Sequence, residues 1–253
     1  MATAEHPLIY PEYALSVLLA LAVGALFPVM QEMKEKQERR QYLLLQGIML
    51  AGAVIGCKAA VLFGETGWPF ASIDHWQTIL VSGRSILGAL IFGLVAAEIA
   101  KPIMGYTRPP NDRFAAVLPF TLAIGRVGCL LHGCCRGVPW NGFCAIRYSD
   151  GIPRHPVVVY EMIFDMAVGI SFIWMVRRGV LRGRLYSLFL ILYGLFRFFS
   201  EFIRETPKLY RGWLSGYQVL CAVAVLTGIA FFVKYSRRDH ETRIAQLSVE
   251  MAG

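Results

Sequence analysis

The chain has 253 residues, 56% of them hydrophobic and only 17% charged, with a formal net charge of +8 and a mean hydropathy of +0.52. Soluble domains sit near 45–50% apolar and about 25% charged, so the composition excludes a soluble globular protein. The basic residues lie in short stretches beside apolar runs, without a nucleic-acid motif. That excludes nucleic acid as a partner and suits contact with anionic lipid headgroups.

Seven apolar segments are long enough to cross a bilayer at about 20 residues each. In chain order they are 13–31, 42–63, 81–100, 114–131, 157–176, 185–203 and 214–233. The expected fold is therefore all-α, a polytopic membrane protein of about seven transmembrane helices. The opening MATAEHPLIYPEYAL lacks a basic region ahead of its first apolar run, so no cleavable signal peptide is expected. Lys34, Lys36, Arg39 and Arg40 follow the first segment, Lys101, Arg108 and Arg113 the third, Arg177, Arg178, Arg182 and Arg184 the fifth, and Lys234, Arg237, Arg238 and Arg243 the last. Residues 1–33 and 59–83 contain no Lys or Arg. Positive loops stay in the cytoplasm, which places the N-terminus outside and the C-terminus inside. Residues 1–235 form a single transmembrane domain with an external loop or cap at about 132–156, and 236–253 form a cytoplasmic tail.

Several basic residues break this pattern. Arg136, Arg147, Arg154, Arg204, Lys208 and Arg211 fall on the outer side, and Lys58, Arg84, Arg126 and Arg197 fall within or beside spans. An Arg at the centre of a membrane helix costs about 2.5–3.5 kcal/mol on the insertion scale. An anionic ligand handled near the outer leaflet accounts for the exceptions.

Five motifs carry chemistry or packing. Gly52-x-x-x-Gly56-Cys57-Lys58 has small residues at four-residue spacing, the pattern of close helix packing. Gly83-Arg84-Ser85-Ile86-Leu87-Gly88-Ala89 opens the third span. Gly125 to Gly137, GRVGCLLHGCCRG, closes the fourth. Its glycines let backbone N–H groups approach a ligand, and its arginines offer planar forks for phosphate. Arg154-His155-Pro156 precedes the fifth span, where Pro156 suits the first helical turn. Arg154 and His155 are then candidates to hold an anion beside the helix N-terminus. Within Tyr193 to Glu205, Arg197 and Glu201 stand at i,i+4 on one helix face, and Arg204 continues that face.

Six cysteines divide into two sets. Cys57 and Cys221 lie inside spans as packing residues. Cys129, Cys134, Cys135 and Cys144 cluster on the outer side, where a disulfide from Cys129 or Cys134 to Cys144 is one reading. A reactive thiolate beside Arg126, Arg136 and His132 is another, since cations lower thiol pKa. No metal is expected. The Cys-x-x-His-x-Cys-Cys spacing is cramped for a usual zinc site, and adjacent cysteines rarely both ligate one ion.

Together these motifs resemble the prolipoprotein diacylglyceryl transferase family, most specifically in Tyr193 to Glu205 and in Arg-His-Pro followed by Tyr160-Glu161. The resemblance implies seven spans in the bacterial inner membrane. It also implies transfer of diacylglycerol from phosphatidylglycerol to the cysteine thiol of a lipoprotein precursor, without a cofactor. On that alignment Arg126 and Arg197 fall on arginines around the phosphatidylglycerol headgroup, with Arg204 and Arg154 as further clamps. Glu201 falls on a functional acid, Gly137 on a glycine closing the signature, and Tyr13 on an N-terminal tyrosine. The chain departs from the family pattern at the reacting centre. Cys129, His132 and Cys134 stand where it has Asn, Asn and Glu. Leu87 stands for a histidine, and Lys58 for an arginine. The expected catalytic residues are His132 as base, Cys134 and Cys135 as functional thiols, and Glu201. Alternatives are a cysteine nucleophile or thiol-redox chemistry on another acceptor, and a non-catalytic phospholipid-binding or transport protein.

Overall fold

The computed structural model describes residues 36–66, 85–206, 208 and 212–252. The expected first span, Tyr13, Gly83, Arg84 and Arg211 lie outside the described residues. The elements in order are α1 (Lys36–Thr66), α2 (Ile86–Ile103), α3 (Asp112–His132), β1 (Ile146–Arg147), β2 (Pro153–Arg154), α4 (Val157–Arg178), α5 (Leu185–Ser200), a 3₁₀ turn (Glu201–Ile203) and α6 (Gly216–Ala252). Six helices among the described residues are long and apolar enough to cross a membrane. The protein is a mostly helical, multi-pass membrane protein.

The helix ends follow local chemistry. Asn111 caps α3, its side chain accepting from the Arg113 N–H at 3.0 Å. Gly133 ends the same helix in the left-handed region at φ +70°. The Gly133 N–H reaches Leu130 O at 3.2 Å and the Cys134 N–H reaches Cys129 O at 3.1 Å, the paired bonds of a Schellman motif. Gly179 closes α4 with the same pair of bonds, onto Val176 O and Met175 O. Pro156 is the N-cap of α4. α6 runs well past the apolar segment at 214–233, because residues 236–252 contain no Gly or Pro to stop it.

The helices pack as three hairpin-like pairs, α1 with α2, α3 with α4, and α5 with α6. α1 approaches α2 through glycines. A Cβ on Gly52 would meet Ala96 Cβ at 2.6 Å and Phe92 O at 2.9 Å, which bears out close packing for that motif. The shared core joins Leu90 and Leu94 of α2, Ala115 of α3, Phe172 of α4, Phe189 and Tyr193 of α5, and Cys221 and Ala224 of α6. Leu87 belongs to this apolar cluster and is buried. At one end Asp112 accepts the backbone N–H groups of Gly183 and of Leu185, the latter at 3.2 Å, tying the starts of α3 and α5 together.

The opposite end gathers the C-terminus of α3, the β1–β2 ribbon, the N-terminus of α4, the 3₁₀ turn and the N-terminus of α6. β1 and β2 pair antiparallel, Ile146 opposite Arg154. Gly137 bridges to Arg204, and Pro139 bridges to Arg154. The segment after α3 is thus stitched to the segment after α5 by backbone bonds, Val138 N–H to Ile203 O at 2.9 Å and Glu205 N–H to Arg136 O at 3.1 Å.

Gly52→Leu should lower the thermal stability of the detergent-solubilised protein, by about 1–3 kcal/mol for an overpacked contact. Gly47→Leu should leave it unchanged, since no atom lies within 4 Å of a Cβ built there. Thermal denaturation of the two variants side by side makes the comparison.

Candidate active site

Glu161 sits in the first turns of α4 and is 0% exposed. Three arginines from three other segments converge on it. Arg126 Nε of α3 lies 2.5 Å from Oε2, Arg197 Nη1 of α5 lies 2.6 Å from Oε1, and Arg204 Nη1 lies 3.1 Å from Oε1. Glu201, also 0% exposed, holds the second side of the cluster. Arg197 Nη2 donates to its Oε2 at 3.1 Å, Ser215 Oγ donates to its Oε1 at 3.3 Å, and Arg204 Nε lies 3.7 Å from Oε2. Lys208 Nζ donates to the Glu201 backbone carbonyl at 2.6 Å. Arg126 also donates to the Tyr193 hydroxyl at 3.4 Å.

Each of these ions loses hydration worth several kcal/mol on burial, so none is tolerable alone. Together they form a mutually neutralised but unequal set. Arg126, Arg197, Arg204 and Lys208 face Glu161 and Glu201, leaving positive charge in excess. Asp165, one turn beyond Glu161, is fully buried, and neither carboxyl oxygen has a hydrogen-bond partner. If it is ionised, the excess falls by one charge.

The turn after α3 delivers thiols to this cluster. Cys135 adopts φ +58°, a left-handed conformation uncommon outside glycine. With Gly133 also left-handed, the chain doubles back and the side chains of Cys129, Cys134 and Cys135 converge. Their sulfur atoms all lie within 4.8 Å of one another. Arg126 Nη1 donates to Cys129 Sγ and to Cys135 Sγ, each at 3.9 Å. Arg136 braces the turn from outside, its Nε donating to Gly133 O at 2.8 Å and its Nη1 to Asp150 at 3.1 Å. Hydrogen bonds from Cys129 and Cys134, with Arg204 and Arg126 nearby, hold the Cys135 thiol well below the usual thiol range. The bonds that Cys134 gives to Cys129 and Cys135 push its own thiol upward, and burial adds to this.

The thiol turn borders an open, mostly polar cleft of about 700 Å³ lined by His132, Cys134, Cys135, Arg136, Arg204 and Glu205. That volume is in the range of small-ligand sites. The structure thus brings together Arg126, Arg197, Arg204, Glu201, His132, Cys134 and Cys135.

It places Arg154 and His155 elsewhere. Arg154 is engaged by Glu205 at 2.6 Å, Asp150 at 3.0 Å and the Gly137 carbonyl at 3.4 Å. These contacts fasten the β1–β2 ribbon to the 3₁₀ segment. His155 stacks on Trp140 at 4.2 Å between ring centroids. Gly137 is needed for packing, since a Cβ there would meet His155 Cβ at 2.8 Å and Val157 Cγ2 at 2.9 Å. No disulfide joins the outer cysteines. All six cysteines are free, and Cys144 is exposed.

The sequence motifs assign no role to Glu161 or Tyr193, and they do not mark Ser215 or Gln218 as site residues. The signal available for Glu161 was a carboxylate in the opening turns of an apolar helix. Gln218 accepts from the Ser215 N–H at 2.9 Å and donates to Phe198 O at 3.3 Å, fixing the N-terminus of α6 against α5.

The family profile of prolipoprotein diacylglyceryl transferase matches residues 6–234. The chain belongs to that family. One relative in Clostridium perfringens, named phosphatidylglycerol–prolipoprotein diacylglyceryl transferase 2, is 31% identical over 177 residues, covering 63% of this chain and 69% of the relative. A relative from Finegoldia magna, named phosphatidylglycerol–prolipoprotein diacylglyceryl transferase, is 26% identical over 234 residues, 89% of this chain and 91% of its own. One from Vibrio vulnificus is 34% identical over 218 residues, 81% and 78% respectively. The transferase family's match spans α1 to the membrane part of α6, so the arginine cluster lies inside the shared region.

Removing Glu161 leaves three buried cations with one carboxylate between them. Glu161→Gln should destabilise the protein by about 3–5 kcal/mol. Glu205→Gln, at a half-exposed partner of Arg154, should cost about 1 kcal/mol or less. Denaturation in detergent tests the ratio; equal effects would refute the hub role of Glu161.

Proposed function

We propose that this protein transfers the diacylglyceryl group of phosphatidylglycerol to the cysteine thiol of a lipoprotein precursor, at the outer face of a bacterial inner membrane. The observation that carries this reading is the arginine cluster at the cleft, in a chain of this family whose relatives are named for that donor and that acceptor class. Mass balance fixes the other product. Moving diacylglyceryl from phosphatidylglycerol breaks the bond between a glycerol carbon and its phosphate oxygen, and glycerol phosphate leaves.

Negative charge grows on that oxygen in the transition state. Preorganised cations aimed there stabilise it without reorganisation. Arg204 borders the cleft and Arg126 lies against the thiol turn, so these two meet the phosphate, while Arg197 links Glu161 to Glu201 behind them. Glu201 acts as an orienting carboxylate rather than a base, because its oxygens are taken by Arg197, Arg204 and Ser215. His132 borders the cleft and is the group that takes the proton of the acceptor thiol. Cys134 and Cys135 are not way-stations for the lipid. A thioether formed on either would leave an unactivated carbon–sulfur bond that a second thiol cannot displace.

The orientation rests on charge. Lys101, Arg108, Arg113, Arg182 and Arg184 lie at the end of the bundle away from the cleft, and the positive-inside rule puts that end in the cytoplasm. A reporter fused after Gly253 should read cytoplasmic; an external reading would invert the assignment.

The deciding assay supplies phosphatidylglycerol labelled in both its diacylglyceryl part and its headgroup glycerol, with a cysteine-containing precursor peptide. Lipid label should appear on the peptide and the headgroup label in glycerol phosphate. Arg204→Lys should lower turnover by about a hundredfold or more, the scale of losing one transition-state donor, while the protein stays folded. Unchanged turnover in that variant removes Arg204 from the clamp. Lipid binding with no turnover in the wild type would favour the transport reading.

A further inference from the structure

We propose that Cys129, Cys134 and Cys135 form a three-thiolate site for a zinc-class divalent cation, whose open fourth position binds the acceptor's cysteine. This deepens the transferase reading and rests on it for the acceptor's identity. Three features of the turn carry it.

The first is convergence. The three sulfur atoms lie within 4.8 Å of one another. Around a zinc ion with Zn–S bonds of about 2.3 Å, three sulfurs stand about 4 Å apart. The closure needed is below about 1 Å, within reach of small side-chain rotations. Adjacent cysteines do not ordinarily point at one spot. Here the left-handed backbone of Cys135 at φ +58° turns its side chain toward those of Cys129 and Cys134, which removes the objection that the sequence spacing raises.

The second is electrostatic. A divalent cation with three thiolates is an anion, and a fourth thiolate makes it more so. Arg126 Nη1 already donates toward Cys129 Sγ and Cys135 Sγ at 3.9 Å. Metal-bound sulfur is commonly held by such outer hydrogen bonds. The arginine cluster behind carries positive charge in excess over its carboxylates.

The third is access. Cys134 and Cys135 border the cleft of about 700 Å³, so one side of the trio faces the space from which substrate arrives. Structural zinc sites are closed by four protein ligands, whereas catalytic ones keep three and leave a position for substrate.

The chemistry balances. The acceptor thiol enters as a thiolate and its proton passes to a neighbouring base or to water. Its sulfur forms a bond to the glycerol carbon as the carbon–oxygen bond to phosphate breaks, and the electron pair leaves on glycerol phosphate. The product thioether is neutral, a poor ligand, and departs. A coordinated thiol is held deprotonated at neutral pH, so the metal supplies the nucleophile. The N–H···S bonds from Arg126 draw charge from the resident sulfurs and leave the incoming one the more reactive.

The test uses the full chain in detergent, stripped with chelator and titrated with Co²⁺ as an optical probe. We expect one Co²⁺ per chain with an intense thiolate-to-cobalt charge-transfer band. The band should be lost in Cys134→Ser and in Cys135→Ser and unchanged in Cys144→Ser. Adding the cysteine peptide without phosphatidylglycerol should perturb the band, and the same peptide with Ser for Cys should not. Chelator should abolish transfer and Zn²⁺ should restore it. Transfer that proceeds in fully metal-free protein overturns the proposal and leaves the transferase reading intact. A band that ignores the cysteine peptide overturns the open fourth position. A Co²⁺ band that responds to the peptide, with no lipid label ever transferred, sustains the metal site and overturns the transferase reading.

Discussion

A single buried carboxylate organises this end of the bundle. Glu161 is fully enclosed and meets Arg126, Arg197 and Arg204, at 2.5, 2.6 and 3.1 Å. Those arginines come from α3, from α5 and from the strand-like segment after it. None can remain in an apolar surround without a partner, since the loss of hydration exceeds what one exposed pair returns. The three elements are therefore obliged to meet at α4. The same obligation fixes guanidinium groups in place before any ligand arrives, which is the condition for stabilising charge that appears only during reaction.

The remainder of the site hangs on that arrangement. The Schellman end of α3 sets the thiol turn one step from Arg126. Backbone bonds from Val138 and Glu205 pair the turn with the 3₁₀ segment that carries Arg204. Arg154, held at Asp150 within the ribbon, fastens the ribbon to the same segment through Glu205. Gln218 and Ser215 lock the start of α6 beside Glu201. The cleft is bordered by polar groups whose positions are fixed from the bundle side, and it opens away from the basic loops.

The six described spans were legible because their apolar runs come near the length a bilayer demands, and the Arg197–Glu201 contact because i,i+4 neighbours meet on any helix. Arg126 stood out as a charge among glycines in an apolar segment. The partner of all these groups was not legible. Glu161 lies 35 residues from Arg126 and 36 from Arg197 in sequence, and a pairing between helices leaves no periodic trace. The carboxylates that Arg154 meets were not legible either, because they come from a loop and from beyond α5. The convergence of the cysteines depends on a left-handed φ at a non-glycine residue, which no local propensity foretells. The outer disulfide failed for a related reason: Cys144 faces solvent while its expected partners turn inward.

The most direct test of this account is an experimental structure of the protein with bound phosphatidylglycerol. The account predicts the lipid phosphate in the cleft within hydrogen-bond distance of Arg204 and Arg126, with Glu161 still bridging the arginines and the glycerol carbon facing the thiol turn. A phosphate held instead by Arg154 or Arg136, with the Glu161 cluster dry and remote from the lipid, would contradict it.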